Sequence, residues 1–239
     1  TCALSIINIL TAIILLRRKL FIPLLFIPVI FYLGINKVQT SQVKGAEVVE
    51  KAESRYGEIT VLKTKGQLNV YSSGRFDFSY PDSQTEELRS HLPMSLHPSP
   101  SKILVIGGSL SAIRELLKYP LEAIDFVEID PKMIGITMKL LRHDDREALL
   151  DKKVRIIAMD ARKFIKGSAD HGYDLIVLNL SAPSTANVNR FYTIEFFREA
   201  KSALKEGGII FLKLPTSYGN VVKRMQMANG SVYNSLKNV

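Results

Sequence analysis

The chain has 239 residues, enough for one domain of ordinary core size plus extra segments, and its single cysteine, Cys2, excludes an intrachain disulfide. The net charge is +9, but the basic residues are scattered and no basic-aromatic motif accompanies them, which argues against a nucleic-acid binder, and no Cys/His spacing suits zinc. Arg17, Arg18, Lys19 and Lys37 are the only charges in the first 39 residues, so 9 − 4 leaves +5 for the rest, and any site for a polycation must be locally acidic.

From the front, Cys2 to Leu16 is uncharged, Arg17-Arg18-Lys19 interrupts, and Leu20 to Ile35 is again uncharged. Fifteen such residues span about 22 Å as a helix, short of a ~30 Å hydrocarbon core. The chain opens at Thr1, already in an apolar run, so residues 1–35 are expected to be two transmembrane helices, the first one partial, joined by a basic tip. A pair of buried soluble helices is the alternative. A signal peptide would carry its basic residues before the apolar run, not after it. Pro23 and Pro28 would kink the second span, which a membrane tolerates. Residues 36–53 read as a polar, mixed-charge linker or helix.

Residues 76–87 (FDFSYPDSQTEE) hold four acids, Asp77, Asp82, Glu86 and Glu87. Clustered carboxylates suit a cationic substrate, and they also suit a solvated loop that starts a helix. His91 and His97 read as packing or capping residues.

The most informative stretch runs from Lys102 to Asp130 (KILVIGGSLSAIRELLKYPLEAIDFVEID). Ile103 to Ile106 is a β-branched-rich run, as in a strand buried on both faces of a parallel sheet. Gly107 and Gly108 permit a sharp turn and close approach to a ligand, and Ser109 or Ser111 can cap the helix that follows, with Ile113, Leu116 and Leu117 on one face. Ala123 to Ile129 is the next strand, and Glu128 lies twenty residues past Gly108, where a β-α-β nucleoside-binding unit places the acid that grips a ribose diol. GGSLSA lacks the later glycines of GxGxxG, so the downstream pattern matters. Lys153 to Met159 is a third strand ending at Asp160, Tyr173 to Leu178 a fourth ending at Asn179, and Ile209 to Leu214 a fifth after Glu206-Gly207-Gly208. This alternation predicts an α/β domain whose ligand site lies at the carboxyl ends of parallel strands. Asn229-Gly230-Ser231 matches a glycosylation acceptor but reads as a turn.

VEIDP at 127–131, Asp160-Ala161 and LNLSAPSTANVNRFYTIEFF at 178–197 resemble the polyamine aminopropyltransferases, the spermidine and spermine synthases. RYGEITVL at 55–62 is similar to that family's amino-terminal β-region, and HPSPSKILVIGG to its approach to the nucleotide loop. The nearest resemblance is to membrane-fused, spermidine-synthase-like proteins of bacteria. It implies a Rossmann-like sheet of the class I methyltransferase type over 99–239, a small β-region over 54–98, and final strands missing beyond Val239. It also implies that Gly107 and Gly108 flank the aminopropyl-sulfonium end of decarboxylated S-adenosylmethionine, that Glu128 binds its ribose and that Asp160 and Ala161 border the adenine. Asp82, Glu87 and Tyr192 become candidates for binding a polyamine. The nucleoside is a co-substrate, with no tightly bound cofactor and no metal, and a homodimer is left open.

At the catalytic positions the chain departs from the resemblance. A primary amine attacking carbon beside a sulfonium must lose a proton, and the family ends its fourth strand in Asp-x-x-Asp-Pro for that purpose. Here the segment is Asn179-Leu180-Ser181-Ala182-Pro183, and Asn179 stands at the position of the catalytic acid. Leu110 replaces an aspartate of the glycine loop, and the Tyr-His-Glu element is absent, with His91-Leu92-Pro93 in that register. Three functions stay open: an aminopropyltransferase with altered or reduced activity, a non-catalytic nucleoside or polyamine sensor attached to a membrane protein, and a methyltransferase. A bacterial inner membrane is the expected location. The basic tip and Lys37, Lys44, Lys51 and Arg55 compete under the positive-inside rule, and the cytosolic nucleoside places the domain in the cytoplasm.

Overall fold

In the computed structural model the described residues are 45–167, 172–183, 185–214 and 222–239. The two expected membrane spans and most of the expected linker lie outside them. Among the described residues, no helix is long and apolar enough to cross a membrane.

Four strands, β1 (Glu47–Ser54), β2 (Gly57–Thr64), β3 (Gln67–Ser72) and β4 (Arg75–Tyr80), form an antiparallel meander in sequence order. Two-residue turns set its register: Lys65-Gly66 have φ of 50° and 84°, and Ser73-Gly74 have 49° and 74°, the paired positive values that match strand twist in a tight hairpin. Ile59, Val61, Val70 and Phe78 project from one face and pack on Met133 and Ile136. The β-region begins before Ser54: residues 47–53, read as linker, are in β1, with Lys51 opposite Thr60 and Ala52 opposite Ile59. β1 is an edge strand with its charges in solvent, a usual way of blunting an edge, and that polarity hides the strand signal.

The remainder alternates helix and strand. In order these are α1 (Ser83–Ser95), β5 (Lys102–Ile106), α2 (Ala112–Leu116), β6 (Ala123–Glu128), α3 (Pro131–Leu140), α4 (His143–Ala148) and β7 (Val154–Ala158). There follow α5 (Ala161–Lys166), β8 (Tyr173–Leu178), α6 (Ala186–Asn189), α7 (Ile194–Ala203), β9 (Leu204–Leu212) and α8 (Lys223–Lys237). The five strands are parallel, in the order β7-β6-β5-β8-β9. Leu104, Ile106, Ile176 and Leu178 pack with Ile165, Phe196, Phe197 and Ala200 on one face. Ile103, Val105, Leu175 and Val177 pack with Met94, Ile113 and Leu116 on the other. Side chains that alternate along each strand thus meet helices on both faces, which is why the strands read as continuous apolar runs. Strand order reverses between β5 and β8, and in such sheets a crevice opens there at the carboxyl ends. Asn229-Gly230-Ser231 lies inside α8 rather than in a turn.

Polar links fix the strands. Asp125 on β6 is fully buried and accepts from Arg155 Nε and Nη2 at 2.5 and 2.6 Å and from Tyr173 Oη at 2.5 Å, joining β6 to β7 and β8. Asp82, Asp130, Asp160 and Thr193 cap α1, α3, α5 and α7 through their side chains. Ser111 precedes α2 in helical backbone, with φ −65° and ψ −24°, and makes no capping bond; its hydroxyl donates to Glu86.

Candidate active site

The carboxyl ends of β5, β6 and β7 and the hairpin sheet enclose a cavity of about 340 Å³. Gly107, Glu128, Asp160 and Ala161, assigned separately to a nucleoside, all line it. Glu128 ends β6 and accepts from the Asp130 amide at 2.9 Å. Burial, with the nearby charges of Asp77 and Asp130, pushes its carboxyl up to about 7. Burial also opposes the charge of Asp160, but Arg190 and the Lys163 amide outweigh it and hold that carboxyl below the usual range. Gly107 has φ +70°, and a Cβ there would lie 2.8 Å from Leu180 Cδ2, so a side chain would need left-handed backbone and a shift of the Leu180 tip.

A second cavity, of about 560 Å³, is walled by Leu178 to Ala182 after β8, by Phe211 to Leu214, and by residues of β4 and α1. Asp77 and Leu180 line both cavities. Asp77 is also the only carboxylate among the described residues lining this second cavity. It is half-buried, and Ser72 Oγ donates to it at 3.0 Å. Burial raises its carboxyl above the usual range, against the opposing effects of Ser72 and Arg89. Asp82 and Glu86 line a smaller hollow of about 210 Å³ with Thr85, Arg89, Ser109 and Lys213. Burial raises Glu86 as well, opposed by the Ser111 hydroxyl.

Other sequence candidates fall elsewhere. Gly108 packs against the Asn179 side chain. Asn179 lines the second cavity, where its amide accepts hydrogen bonds but cannot take a proton. Glu87 is exposed and lines none of the three cavities. Tyr192 is buried behind the wall: its hydroxyl donates to the Ser181 carbonyl at 3.1 Å, which steadies the loop after β8, and burial pushes its pKa up to about 12. Leu110 is in the core with Ile113 and Leu116. His91 bonds to Tyr119 and Glu115 at 2.6 and 3.1 Å, and His97 accepts from the Ser99 amide at 3.3 Å, so both are structural. Sequence reasoning missed Arg190, whose partner Asp160 is 30 residues away, and Tyr56 with the start of β2, Gly57 to Ile59, which wall the nucleoside cavity. A basic residue within NVNRFY was the available signal for the first.

Residues 82–227 match the spermine/spermidine synthase domain. Polyamine aminopropyltransferase 2 of Aquifex aeolicus is 30% identical over 81% of this chain and 42% of its own length. The polyamine aminopropyltransferase of Aeropyrum pernix is 28% identical over 81% of this chain and 63% of its own. The chain therefore spans less than two thirds of the length of either relative. A spermidine synthase solved with the transition-state analogue AdoDATO superposes with a TM-score of 0.68 at 22% identity, covering 80% of this chain and 64% of that one, a likeness of fold. With the matched domain running through both cavities, the chain belongs to the spermine/spermidine synthase domain family.

Proposed function

We propose that the chain binds decarboxylated S-adenosylmethionine in the Glu128 cavity and transfers its aminopropyl group to an amine held in the adjoining cavity. The observation that carries this is the sharing of Asp77 and Leu180 by the two cavities, which brings donor and acceptor compartments together at one carboxylate. Glu128 would accept from the ribose hydroxyls, with Asp160, Ala161 and Arg190 bordering the base. The amine lone pair forms the new N–C bond as the C–S bond breaks, and sulfur leaves as the neutral thioether methylthioadenosine. Asp77, which lines both cavities, would take the ammonium proton that Asn179 cannot. The relatives' shared name, polyamine aminopropyltransferase, supports the reaction class.

A second reading, a sensor that binds without transfer, is favoured by the neutral Asn179 and Ala182 on the wall of the acceptor cavity. Incubating the chain with decarboxylated S-adenosylmethionine and a panel of amines separates the two. Methylthioadenosine release supports transfer. Binding without release, restored in part by Asn179→Asp with Ala182→Asp, supports the sensor. The two uncharged runs within 1–35 further suggest attachment to a bacterial inner membrane, with the domain in the cytoplasm where the nucleoside is made.

A further inference from the structure

We infer that Arg190 is a positioning residue that sets base specificity at the donor site: it holds the Asp160 carboxylate as a fixed acceptor for the exocyclic amino group of the base, so that a 6-aminopurine is taken and a 6-oxopurine refused. This rests on the reading of the Glu128 cavity as the aminopropyl donor's site. Gly107, Glu128 and Asp160 stand at or just past the ends of β5, β6 and β7, neighbouring strands about 4.8 Å apart. With the ribose at Glu128 and the sulfonium towards Gly107, the base falls at Asp160. Among the described residues that line this cavity, Glu58, Asp77, Glu128, Asp130 and Asp160 are acids and Arg190 is the one cation. A bare guanidinium would work against a cationic sulfonium, but this one sits at the base end and is paired with Asp160.

The pair is held from both sides. Asp160 Oδ1 accepts from the Lys163 amide at 3.1 Å as the cap of α5, and Oδ2 accepts from Arg190 Nη2. Arg190 Nε donates to the Asn187 carbonyl at 3.2 Å, and its guanidinium lies 4.7 Å from the centre of the Phe191 ring. The Arg190 carbonyl accepts from Arg162 Nη1 at 3.4 Å, and Arg162 is fixed in turn by two bonds to Glu199, at 2.8 and 2.5 Å. With a helix amide on one oxygen and the guanidinium on the other, the carboxylate keeps one orientation, and each oxygen retains a lone pair. Burial favours the protonated carboxyl at this position, and a protonated carboxyl could donate to a 6-oxo oxygen. Arg190 keeps Asp160 ionised, so it can only accept. An amino group then finds an acceptor, whereas a keto oxygen meets a second acceptor.

Methylthioadenosine and methylthioinosine form a matched pair, 6-amino against 6-oxo on the same ribose and thioether. The full chain, Arg190→Met and Arg190→Gln are titrated with both at pH about 8, where Glu128 is charged, and with 2′-deoxy-methylthioadenosine, which lacks a hydroxyl that Glu128 would accept from. We expect the unaltered chain to bind the 6-amino base at least about tenfold more tightly than the 6-oxo base, and the variants to bring the two within about threefold. The 2′-deoxy penalty should be the same in all three proteins, because a guanidinium that merely held the cavity together would lower the base and ribose contributions at once. Urea unfolding shows which variants fold, and either one decides the matter. An unchanged base preference in a folded variant, a base preference that falls together with the 2′-deoxy penalty, or an unaltered chain that shows no preference or prefers the 6-oxo base overturns the inference and leaves the donor site standing. Failure of methylthioadenosine to bind the unaltered chain overturns both.

Discussion

The Gly108 backbone lies against the Asn179 side chain: a Cβ on Gly108 would sit 2.8 Å from Asn179 Cβ, and Gly108 has φ of +89°. The glycine turn after β5 and the end of β8 therefore touch at the point where strand order reverses. Gly108→Ala must adopt left-handed backbone and displace Asn179 as well. We predict a loss of about 2–3 kcal/mol in stability, read from the urea midpoint at unchanged slope.

Glu128 trades stability for binding. Its folded pKa, about 7, lies above the unconstrained 4.5, so the folded state holds the proton more tightly than the unfolded one. Its contribution is favourable at low pH, and stability falls as pH rises between these two values, by roughly 3 kcal/mol in all. Glu128→Gln should flatten this dependence and leave the protein more stable at pH about 8, with no gain below pH about 4.5. The check is urea unfolding across that range.

The same proton competes with ligand. A ribose diol donates to the ionised carboxylate, so methylthioadenosine should bind about tenfold more tightly at pH about 8 than at pH about 6, and Glu128→Gln should bind weakly at both. Calorimetric titration at the two pH values tests this, and a flat profile would count against the ribose role.

Arg155 offsets the buried charge of Asp125. Burial opposes that charge, but the Arg155 and Tyr173 hydrogen bonds outweigh it and hold the carboxyl below its usual range. Arg155→Ala leaves the Tyr173 hydroxyl donating to Asp125 and the Lys102 charge acting on it. We predict a cost near 3 kcal/mol, the lower end for a broken buried pair because the Arg155 side chain is half exposed. Since the Asp125 pKa is depressed, its contribution is present above the unfolded carboxylate range and is lost as pH falls through the folded value. The wild-type advantage over Arg155→Ala should therefore shrink in acid.

What could be read in the sequence was what local pattern determines. β5, α2 and β6 were legible because a doubly buried strand is apolar throughout and ends at glycines, and Glu128 followed from its place after them. The start of β1 was not, because an edge strand facing solvent carries the polarity of a linker. Asp77 could be named but not placed: its position depends on the register of β3 with β4, in which Tyr71 pairs with Phe76 after a shift from Val70 with Phe78. Tyr192 shows the converse, since an aromatic in a specific motif can serve its loop from behind, and only burial distinguishes the two. Arg190 pairs with an acid far away in sequence, a contact that no local pattern announces.

In the proposed reaction Asp77 takes the proton that the Asn179 amide cannot accept. The direct measurement is methylthioadenosine release from decarboxylated S-adenosylmethionine under saturating acceptor, comparing the unaltered chain with Asp77→Asn. We expect release by the unaltered chain and a fall of about 10²–10⁴-fold in the variant, with methylthioadenosine affinity retained within a few-fold. An unchanged rate in Asp77→Asn, or no release by the unaltered chain while both substrates bind, would contradict it.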